Sequence, residues 1–522
     1  MRIVPLFIVF LLIATVWSGC TAPDDDDSGT GAPPPGAFDP RAPEGPLFGE
    51  EGGLGASATV AAVGYVDDDE LYDLYLGGPD GGRLLLGKSA GRFQDATDAW
   101  SAGCPGCEIT SVAIGDLDED GWSDIVVLLE DSLRVFMHQG DRFVDETDER
   151  VSDPVGGDAL TLVDVTNDGA LEILVGAKDR PIQVYTNHLK VVNTTTGETV
   201  YDRASMTEPK EDLSSEGATL RWDAGTFLMS EGSPEGTETD TFLMMYVDTD
   251  RYLDLVVSTA EGLRLHLADG EGGFGAAVEG AGFDEDPGAR SLMPMDVENT
   301  QVFYLLAAGE EGVRLYKNTG RDSFADRSTL LGVPAGMKAR AALPLDLDND
   351  GWLDILVLTD RGSRVLWSAG GEEFFEVRDP GLGTTAYPMM AAADFDRDGK
   401  LDVIAFPDGE DAVRYRNMVD AGPYFTLHLF GNQSNSAGLG VKTTLSSTSL
   451  IQSRQAGGDA SASVAVPIDP HFGIGESRAP EYTLAIIWPS GILQFEAIDK
   501  DRVVDRRLPA TESAKEAPWE EC

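Results

Sequence analysis

A loop rich in aspartate, followed by a strongly apolar segment, recurs seven times along this chain. The clearest copies read GDLDEDGWSDIVVL, VDVTNDGALEILVG, LDLDNDGWLDILVL and ADFDRDGKLDVIAF, and they start at Gly115, Val163, Leu345 and Ala393. We number the seven segments loops 1 to 7, and position 1 of each is residue 65, 116, 164, 246, 296, 346 or 394. The steps are 48 to 51 residues long, apart from one of 82 that contains an insertion at about 189–240. A repeat of about 50 residues indicates structural units that stack on one another.

The segments between the loops predict short β-strands. They are rich in Val, Ile, Leu and Tyr, are separated by Gly and Asp turns, and show no sustained helical period. A four-stranded propeller blade needs about 40 to 50 residues, and one blade cannot bury its faces alone. The sequence therefore predicts an all-β fold in which residues 53–422 form a seven-bladed β-propeller. Further apolar segments predict a small C-terminal β domain at 423–511, followed by a tail at 512–522.

A second marker keeps the same period. A short strand follows each loop, and it carries Gln183 in the third copy and an arginine in the others, at Arg83, Arg134, Arg264, Arg314, Arg364 and Arg414. One interpretation is a charged outer position on an alternating strand. The other is a guanidinium group that pairs with a loop carboxylate. Both interpretations are open at this point.

The loops have the ligand pattern of a calcium site. In loop 2 carboxylates stand at positions 1, 3, 5 and 9, the glycine at position 6 permits a sharp turn, and the carbonyl of position 7 can turn inward. Loops 6 and 7 repeat this pattern, and loop 3 repeats it with weaker chemistry at position 3. The predicted calcium ligands are Asp116, Asp118, Asp120, Trp122 and Asp124, then Asp164, Thr166, Asp168 and Glu172, then Asp346, Asp348, Asp350, Trp352 and Asp354, and finally Asp394, Asp396, Asp398, Lys400 and Asp402.

Two alternatives are an EF-hand and a solvated acidic turn. An EF-hand needs a glutamate at position 12 and a following helix, whereas position 12 is Val127, Val357 or Ala405 in an apolar strand. Carboxylates gathered in one turn repel one another without a cation, and three full copies in register weigh against simple solvation. Loops 4 and 5 are predicted to bind no calcium, and Arg251 is a candidate to replace the cation in loop 4. Loop 1 stays open.

The N-terminus has the features of an export signal. The apolar segment 3–16 is too short for a membrane span and ends near a Ser-Gly-Cys sequence that resembles a bacterial lipobox, with Trp17 where an aliphatic residue is usual. We expect a signal peptide at 1–19, lipidation of Cys20, and a flexible tether at 20–52. Ordinary signal cleavage is the alternative. The prediction is a bacterial envelope lipoprotein, periplasmic or at the outer membrane or cell surface, and otherwise a secreted protein.

The charge of the chain excludes two classes of partner. There are 91 Asp and Glu residues against 38 Lys and Arg residues, which gives a net charge of −53. Nucleic acids and anionic lipid surfaces both need basic residues for binding. We therefore expect no nucleic-acid partner, and contact with a membrane only through the N-terminal lipid anchor.

Two cysteines stand close together in the sequence. Cys104 and Cys107 form a C-x-x-C motif within a Gly/Pro loop that precedes a strand. A redox motif would instead lie between a strand and a helix. We expect a small structural disulfide formed in an oxidising compartment, and the redox motif is the alternative.

The loop motif D-x-D-x-D-G-x-x-D leading into a strand resembles the FG-GAP/VCBS repeat of integrin-α-type propellers, over about residues 65–420. This resemblance implies that the metal ties together the loop of a blade. The C-terminal segment carries GNQSNSAGLGV at Gly431, HFGIG at His471 and WPSG at Trp488, and it resembles the ASPIC/UnbV domain of cartilage acidic proteins and bacterial exported homologues. Ser436 stands where that family usually has Arg.

These features favour a binding, adhesion or scaffold protein over an enzyme. The sequence shows no nucleophile motif, zinc cluster or phosphate loop, and His471 has no catalytic motif around it and is interpreted as a packing residue. Two alternatives stay open, a lectin-like propeller that binds glycans and a hydrolase or lyase carried on a propeller. The protein or glycan ligand is not identified by the sequence. The polar insertion at 189–240 is a candidate for partner specificity.

Overall fold

The computed structural model describes most of the chain that follows residue 44. The described residues are 43, 45–193, 199–202, 220–223, 226–229, 234, 236–239, 241–283, 288–320, 322–334, 336–377, 379–461, 463–475, 479, 481–499 and 506–513. The predicted signal peptide, the lipidation site Cys20, most of the predicted tether and most of the tail lie outside them.

Seven antiparallel sheets follow one another along residues 48–417, and each is called a blade below. The strands of blades 1 to 3 are β2 (Val60–Gly64), β3 (Asp73–Gly78), β4 (Gly81–Lys88) and β5 (Arg92–Asp95); β6 (Ile109–Gly115), β7 (Asp124–Leu129), β8 (Leu133–His138) and β9 (Phe143–Asp145); and β10 (Ala159–Val163), β11 (Glu172–Ala177), β12 (Arg180–Asn187) and β16 (Phe227–Met229). Each Asp loop joins the first strand of its blade to the second.

Blades 4 to 7 repeat the arrangement, and blade 4 has three strands. Their strands are β17 (Phe242–Met245), β18 (Asp254–Thr259) and β19 (Gly262–His266); β20 (Ala289–Met295), β21 (Tyr304–Gly309), β22 (Gly312–Asn318) and β23 (Phe324–Asp326); β24 (Ala341–Leu345), β25 (Asp354–Thr359), β26 (Gly362–Ser368) and β27 (Phe374–Glu376); and β28 (Met389–Ala393), β29 (Asp402–Phe406), β30 (Val413–Asn417) and β1 (Phe48–Gly53).

The second strand of a blade is buried on both faces. Strand β7 has the sequence DIVVLL and strand β25 the sequence DILVLT, and nearly every residue of both is inaccessible to solvent. A strand packed between two neighbouring sheets is apolar throughout instead of alternating with polar residues. This explains why a continuous apolar run follows each Asp loop in the sequence.

The hydrophobic cores lie between consecutive blades. Separate clusters join blades 1 and 2, 2 and 3, 3 and 4, and 4 and 5, and one larger cluster extends over blades 5, 6 and 7. A further cluster joins blade 7 to blade 1 and includes Ile404 and Val63. The blades therefore close into a ring in which each sheet is covered on both sides. The predicted all-β propeller is confirmed, and the number of seven blades stays a prediction that agrees with these sheets.

The ring is closed by a strand from the N-terminal side. Strand β1 pairs antiparallel with β30, so that Phe48 lies opposite Asn417, and Phe48 is buried. The segment 20–52 was expected to be a tether, yet its last residues form this edge strand. Main-chain pairing to β30 and burial of two apolar side chains, Leu47 and Phe48, order it despite its polar composition.

The C-terminal domain contains two sheets around their own core. Their strands are β31 (Tyr424–Phe430), β35 (His471–Gly473) and β38 (Arg506–Thr511) in one sheet, and β32 (Lys442–Ser446), β33 (Ile451–Gln455), β36 (Glu481–Ile487) and β37 (Leu493–Asp499) in the other. Trp488 is fully buried in the core, and its Nε1 donates a hydrogen bond to Gln494 Oε1 at 3.0 Å.

One segment of the C-terminal domain runs along the first strands of the ring, which contact one another around its centre. Strand β34 (Val464–Ala465) pairs in parallel with β28 of blade 7. The amide of Met244 in blade 4 donates to Gly458 O at 2.9 Å, and Ser461 Oγ donates to Arg290 O of blade 5 at 3.0 Å. Residues 458–461 and 463–465 therefore occupy the centre of the ring.

Three short strands within the insertion form a small separate sheet. Its strands are β13 (Lys190–Asn193), β14 (Thr199–Asp202) and β15 (Leu220–Asp223). This sheet lies between the third and fourth strands of blade 3, and the expected insertion at 189–240 also contains the fourth strand, β16. The short helix α1 (Thr147–Arg150) and a 3₁₀ turn at Ser328–Leu331 are the helical segments of the described residues, and no helix in that part is long and apolar enough to span a bilayer.

Candidate metal centres

The Asp loops wrap around the carboxylate of position 1. In loop 6, Asp346 accepts hydrogen bonds from the amides of Asp350 at 3.1 Å and Gly351 at 3.0 Å. This wrapping requires a left-handed backbone at positions 4 and 6, with φ of 57° at Asn349 and 93° at Gly351. Glycine at position 6 adopts that conformation without strain. The same two amide bonds form in loops 2, 3, 5 and 7.

Three loops bring three carboxylates together. One ligand oxygen from each residue lies within 4.8 Å of the others in the groups Asp116/Asp118/Asp120, Asp346/Asp348/Asp350 and Asp394/Asp396/Asp398. These are positions 1, 3 and 5 of loops 2, 6 and 7. No such group forms among the described residues of loop 3, where the Thr166 hydroxyl lies 3.5 Å from Asp164 Oδ1. The donor set of the three clusters, hard carboxylate oxygens close together, fits a calcium ion.

The carboxylate at position 9 holds backbone amides, a role that the sequence analysis missed. Asp354 accepts hydrogen bonds from the amides of Leu347 at 3.3 Å and Ser368 at 2.8 Å. Asp73 and Asp254 make equivalent bonds in loops 1 and 4. The position-9 aspartate therefore joins the loop to the third strand of the blade, or in blade 4 to Ala268 just after that strand. It does so in loops with and without the full calcium pattern, and its presence in loops 1 and 4 was the available signal.

Burial makes these carboxylates costly to ionise. Burial, together with the neighbouring carboxylates, raises the pKa of Asp346 to about 8, although the charge of Arg454 acts in the opposite direction, and it raises the pKa of Asp348 to about 7. Burial likewise raises the pKa of Asp116 and Asp394 to about 7. A cation at each cluster would remove the mutual repulsion and favour the ionised form.

Basic side chains reach the acids in several loops. Lys88 Nζ lies 2.9 Å from Asp69 in loop 1, and Lys317 Nζ lies 2.5 Å from Glu298 in loop 5. Arg251, the candidate replacement for a cation in loop 4, forms no ion pair within the described residues and instead donates to the Tyr252 hydroxyl at 3.0 Å. The charge of a cation is thus supplied by lysine in loops 1 and 5.

The recurring arginines divide into two kinds. Arg83 and Arg134 pair with acids on the outer strands of their own blades, Asp95 and Asp145, each at 2.6 Å. Arg364 pairs in the same way with the outer-strand Glu376, and Arg264 pairs with the nearby Glu261. These agree with the interpretation as charged outer positions. In the seventh copy Arg414 contacts loop carboxylates, which agrees with the other interpretation.

Position 4 links neighbouring loops around the ring. The Nδ2 of Asn349 in loop 6 donates to the carbonyl of Gly399 at position 6 of loop 7, at 2.9 Å. Asn299 and Asn167 make the same contact with loops 6 and 4, and Arg397 makes it with Glu70 of loop 1 across the closure. The conformation of one loop is thereby tied to that of the next.

Position 1 is also where the C-terminal domain rests on the ring. Ser436 Oγ donates to Asp116 at 2.7 Å, and the amides of Ser453 and Gly473 donate to Asp296 and Asp346, each at 3.1 Å. In the loops without aspartate at position 1, tyrosine hydroxyls make the contact instead. Tyr246 donates to Gly440 O at 2.7 Å and Tyr65 donates to Asp469 at 2.5 Å. Loops with a weaker calcium pattern therefore serve as contact points for the C-terminal domain.

Asp469 is the centre of the contact with loop 1. Its carboxylate has a side-chain exposure of 1 % and accepts hydrogen bonds from Tyr65 and, at 3.2 Å, Tyr72. On the other side, His428 Nδ1 lies 3.0 Å from it and Arg507 Nη2 lies 3.2 Å from it. Arg507 also stacks 4.2 Å above the ring centroid of Tyr65. Charge and aromatic contacts are combined at this point.

The remaining predicted residues have structural contacts. His471 Nε2 lies 2.8 Å from Asn349 Oδ1, and its ring stacks on Tyr424; burial lowers its pKa to about 3. Cys104 and Cys107 are joined in a disulfide with their Cα atoms 5.5 Å apart.

Comparison with protein families finds one match. The FG-GAP-like repeat matches residues 66–127, 116–175, 296–357 and 346–405, which together make up less than half of the chain. The matches cover loops 2, 3, 6 and 7 completely, and they also include loop 5 and part of loop 1. No curated protein matches the sequence.

Many solved structures are similar at low sequence identity. A lectin from Agrocybe aegerita that recognises non-reducing terminal N-acetylglucosamine is 16 % identical over 61 % of this chain and 80 % of its own, with a TM-score of 0.40. The V. cholerae biofilm matrix protein Bap1 is 13 % identical over 74 % and 90 %, with a TM-score of 0.38. The extracellular domain of the hybrid two component system BT3049 from B. thetaiotaomicron is 14 % identical over 86 % and 47 %, with a TM-score of 0.37.

Proposed function

We propose that this chain, whose ring carries FG-GAP-like repeats, is an exported calcium-binding propeller that acts as a non-catalytic binding, adhesion or scaffold protein. The observation that carries the proposal is the gathering of three carboxylates at positions 1, 3 and 5 of a loop, the first two of them buried or half-buried, and this arrangement is repeated in the ring. Asp116, Asp118 and Asp120 would hold one ion, and the corresponding residues of loop 6 another. The ion would compensate the charge of the loop and make the loop rigid. Its role would be structural, because calcium bound by such ligands carries no redox chemistry.

The contacts of the loops support a structural role for the ion. Position 4 bonds to the next loop and position 1 bonds to the C-terminal domain. A cation that fixes one loop would therefore also stabilise the neighbouring blade and the contact between the ring and the C-terminal domain. Binding to the folded state stabilises by mass action, by about 2.7 kcal/mol per site when free calcium is 100-fold above Kd.

The C-terminal domain is proposed to be of the ASPIC/UnbV type. Two of its motifs meet the ring, since Ser436 contacts Asp116 and His471 contacts Asn349, while Trp488 of the third forms its core. The domain covers the loop face, so a partner would approach from another side. A recess of about 700 Å³, lined by the turns of blades 2 and 3 at the other end of their strands, is one such place.

Thermal unfolding with millimolar calcium and with excess chelator tests the proposal. We expect calcium to raise the unfolding temperature and Asp348→Ala to remove part of that rise. Asp67→Ala is the matched control, because Asp67 holds position 3 of loop 1, where Lys88 provides the positive charge. It should lower stability equally in both conditions. An unfolding temperature that is the same with calcium and with chelator would contradict the proposal.

A further inference from the structure

Arg414 occupies a place that is apolar in every other blade. In each blade one residue of the third strand lies opposite position 11 of the Asp loop, on the second strand, as Val365 lies opposite Leu356 in blade 6. In blades 1 to 6 these residues are buried, and they are Leu84, Val135, Val184, Leu265, Leu315 and Val365. In blade 7 the residue is Arg414, opposite Ile404.

The pairing explains why Arg414 differs from the other recurring arginines. Arg83, Arg134, Arg264, Arg314 and Arg364 lie opposite position 12. A shift of one residue turns a side chain to the other face of a sheet. Arg414 therefore points to the face that carries the position-9 carboxylate Asp402. The sequence signal is its distance from position 1, which is 20 residues instead of the 18 of the other five arginines.

The guanidinium of Arg414 joins three separate parts of the chain. Its Nη2 lies 3.0 Å from Asp396 and 2.9 Å from Asp402 of loop 7. Its Nη1 donates to Gly91 O of blade 1 at 3.0 Å and lies 3.1 Å from Glu51 of β1. The side chain is only 6 % exposed. All of these contacts lie at the seam where blade 7 meets blade 1.

A second arginine completes the charge compensation of loop 7. Arg416 Nη2 lies 2.9 Å from Asp398, and its Nε lies 3.3 Å from Asp396. The equivalent residue in blade 6 is Trp367, which directly follows Leu366, the partner of Ile355 at position 10. Asp346, Asp348 and Asp350 of loop 6 form no direct ion pair in the described part of the chain, although the charge of the buried Arg454 acts to lower the pKa of Asp346. Loops 6 and 7 thus have the same acids and different surroundings.

The buried arginine opposes the entry of a metal ion. A calcium ion in loop 7 would compete for the oxygens of Asp396 and Asp402 that Arg414 contacts. If the guanidinium lost these two partners, only the partly exposed Glu51 would remain to compensate a buried charge, and breaking buried ion pairs in this way is strongly destabilising. Arg414 therefore compensates the charge of loop 7 at a lower free-energy cost than a calcium ion would.

We propose that Arg414 is the resident cation of loop 7, so that this loop binds no calcium and the seam between blades 7 and 1 is closed without metal. This refines the proposed function and rests on it for the calcium in loops 2 and 6. It removes loop 7 from the calcium sites predicted from the sequence, in which Asp394, Asp396, Asp398, Lys400 and Asp402 formed a site like the others.

The first test counts bound calcium. The full chain is dialysed against calcium, and the metal bound per chain is measured by elemental analysis for the wild type, Asp396→Asn and Asp348→Asn. We expect Asp348→Asn to lose one ion and Asp396→Asn to lose none. If Asp396→Asn also loses one ion, loop 7 is a calcium site and the inference is overturned while the proposed function stands.

The second test is made in excess chelator, where bound calcium plays no part. Arg414→Met is compared with Arg364→Met, the matched arginine that faces outward and pairs with Glu376. We expect a much larger fall in unfolding temperature for Arg414→Met, or failure to fold, while Arg364→Met stays near the wild type. Equal small shifts would overturn the seam role. A wild type that binds no calcium would refute only the proposed function, because this comparison would still be valid.

Discussion

Replacing Asp469 by asparagine tests how the C-terminal domain is held on the ring. Asparagine keeps the shape of the side chain and removes its charge. The hydroxyl bonds from Tyr65 and Tyr72 become bonds to a neutral acceptor, and Arg507 loses its carboxylate partner. Bonds to charged groups contribute roughly 1.5–3 kcal/mol and neutral ones about 1 kcal/mol.

The magnitude follows from the exposure of each partner. Asp469 is almost fully buried, whereas the Arg507 side chain is 21 % exposed and also donates to the Glu70 carbonyl. Arg507 would therefore be partly hydrated after the change. The loss of its carboxylate partner then costs less than the ~3–5 kcal/mol that removing one partner of a fully buried pair costs. We expect Asp469→Asn to lower the free energy of unfolding by about 3 kcal/mol.

The assay combines chemical denaturation with hydrogen exchange. Denaturation gives the free energy, and exchange shows whether amides of β31 and β38 open more often than those of β7. The matched control is Glu310→Gln, since Glu310 also has two cationic neighbours, Arg290 and Lys338, but all three are exposed. Exposed pairs contribute little. If Asp469→Asn costs no more than Glu310→Gln, and exchange in the domain is unchanged, the assigned role of Asp469 is wrong.

Three further outcomes are expected. Asn349→Ala removes a buried amide that bonds to the next loop and to His471, and it should cost about 1–3 kcal/mol by denaturation; a change near zero would contradict the loop-to-loop linkage. In chelator the protein should melt at a higher temperature at pH 5 than at pH 8, because burial raises the pKa of Asp73 and Asp254 to about 7. Between pH 3.8 and pH 7 the folded state keeps these two protons, whereas the unfolded state, with a pKa near 3.8, has released them. Stability therefore falls as pH rises toward 7. A melting temperature that stays flat or rises with pH in calorimetry would refute this. Cys20→Ala should move the protein from the membrane fraction to the soluble fraction, and an unchanged distribution would exclude the lipid anchor.

The loops and their strands were predictable because their causes are local. Positions 1, 3, 5 and 6 lie within one turn, and an apolar run after position 9 indicates a buried strand. The contacts of Asp116 and Asp346 with the C-terminal domain were not predictable, because they join residues far apart in the chain. The spacing of the loop motif alone does not indicate that tyrosine at position 1 also contacts the C-terminal domain.

Arg414 shows a different limit. Its recurrence with the other arginines was visible, and so was the longer spacing, but the side of the sheet that it faces depends on the pairing of two strands. A shift of one residue changes an exposed ion pair into a buried one. Strand pairing between segments joined by a long turn is set by tertiary packing, so the two interpretations of these arginines were separable only in three dimensions.

The composition of blade 7 has a consequence for how the chain folds. Its sheet takes β1 from the N-terminal side, β28 to β30 from the end of the ring, and β34 from within the C-terminal domain. Blades 1, 2, 5 and 6 need only neighbouring residues and can form early, whereas pairing between distant segments is slow. Blade 7 cannot be complete until residue 465 has been synthesised. We therefore expect folding to end at this sheet, with an open chain of blades as the species that precedes the closed ring.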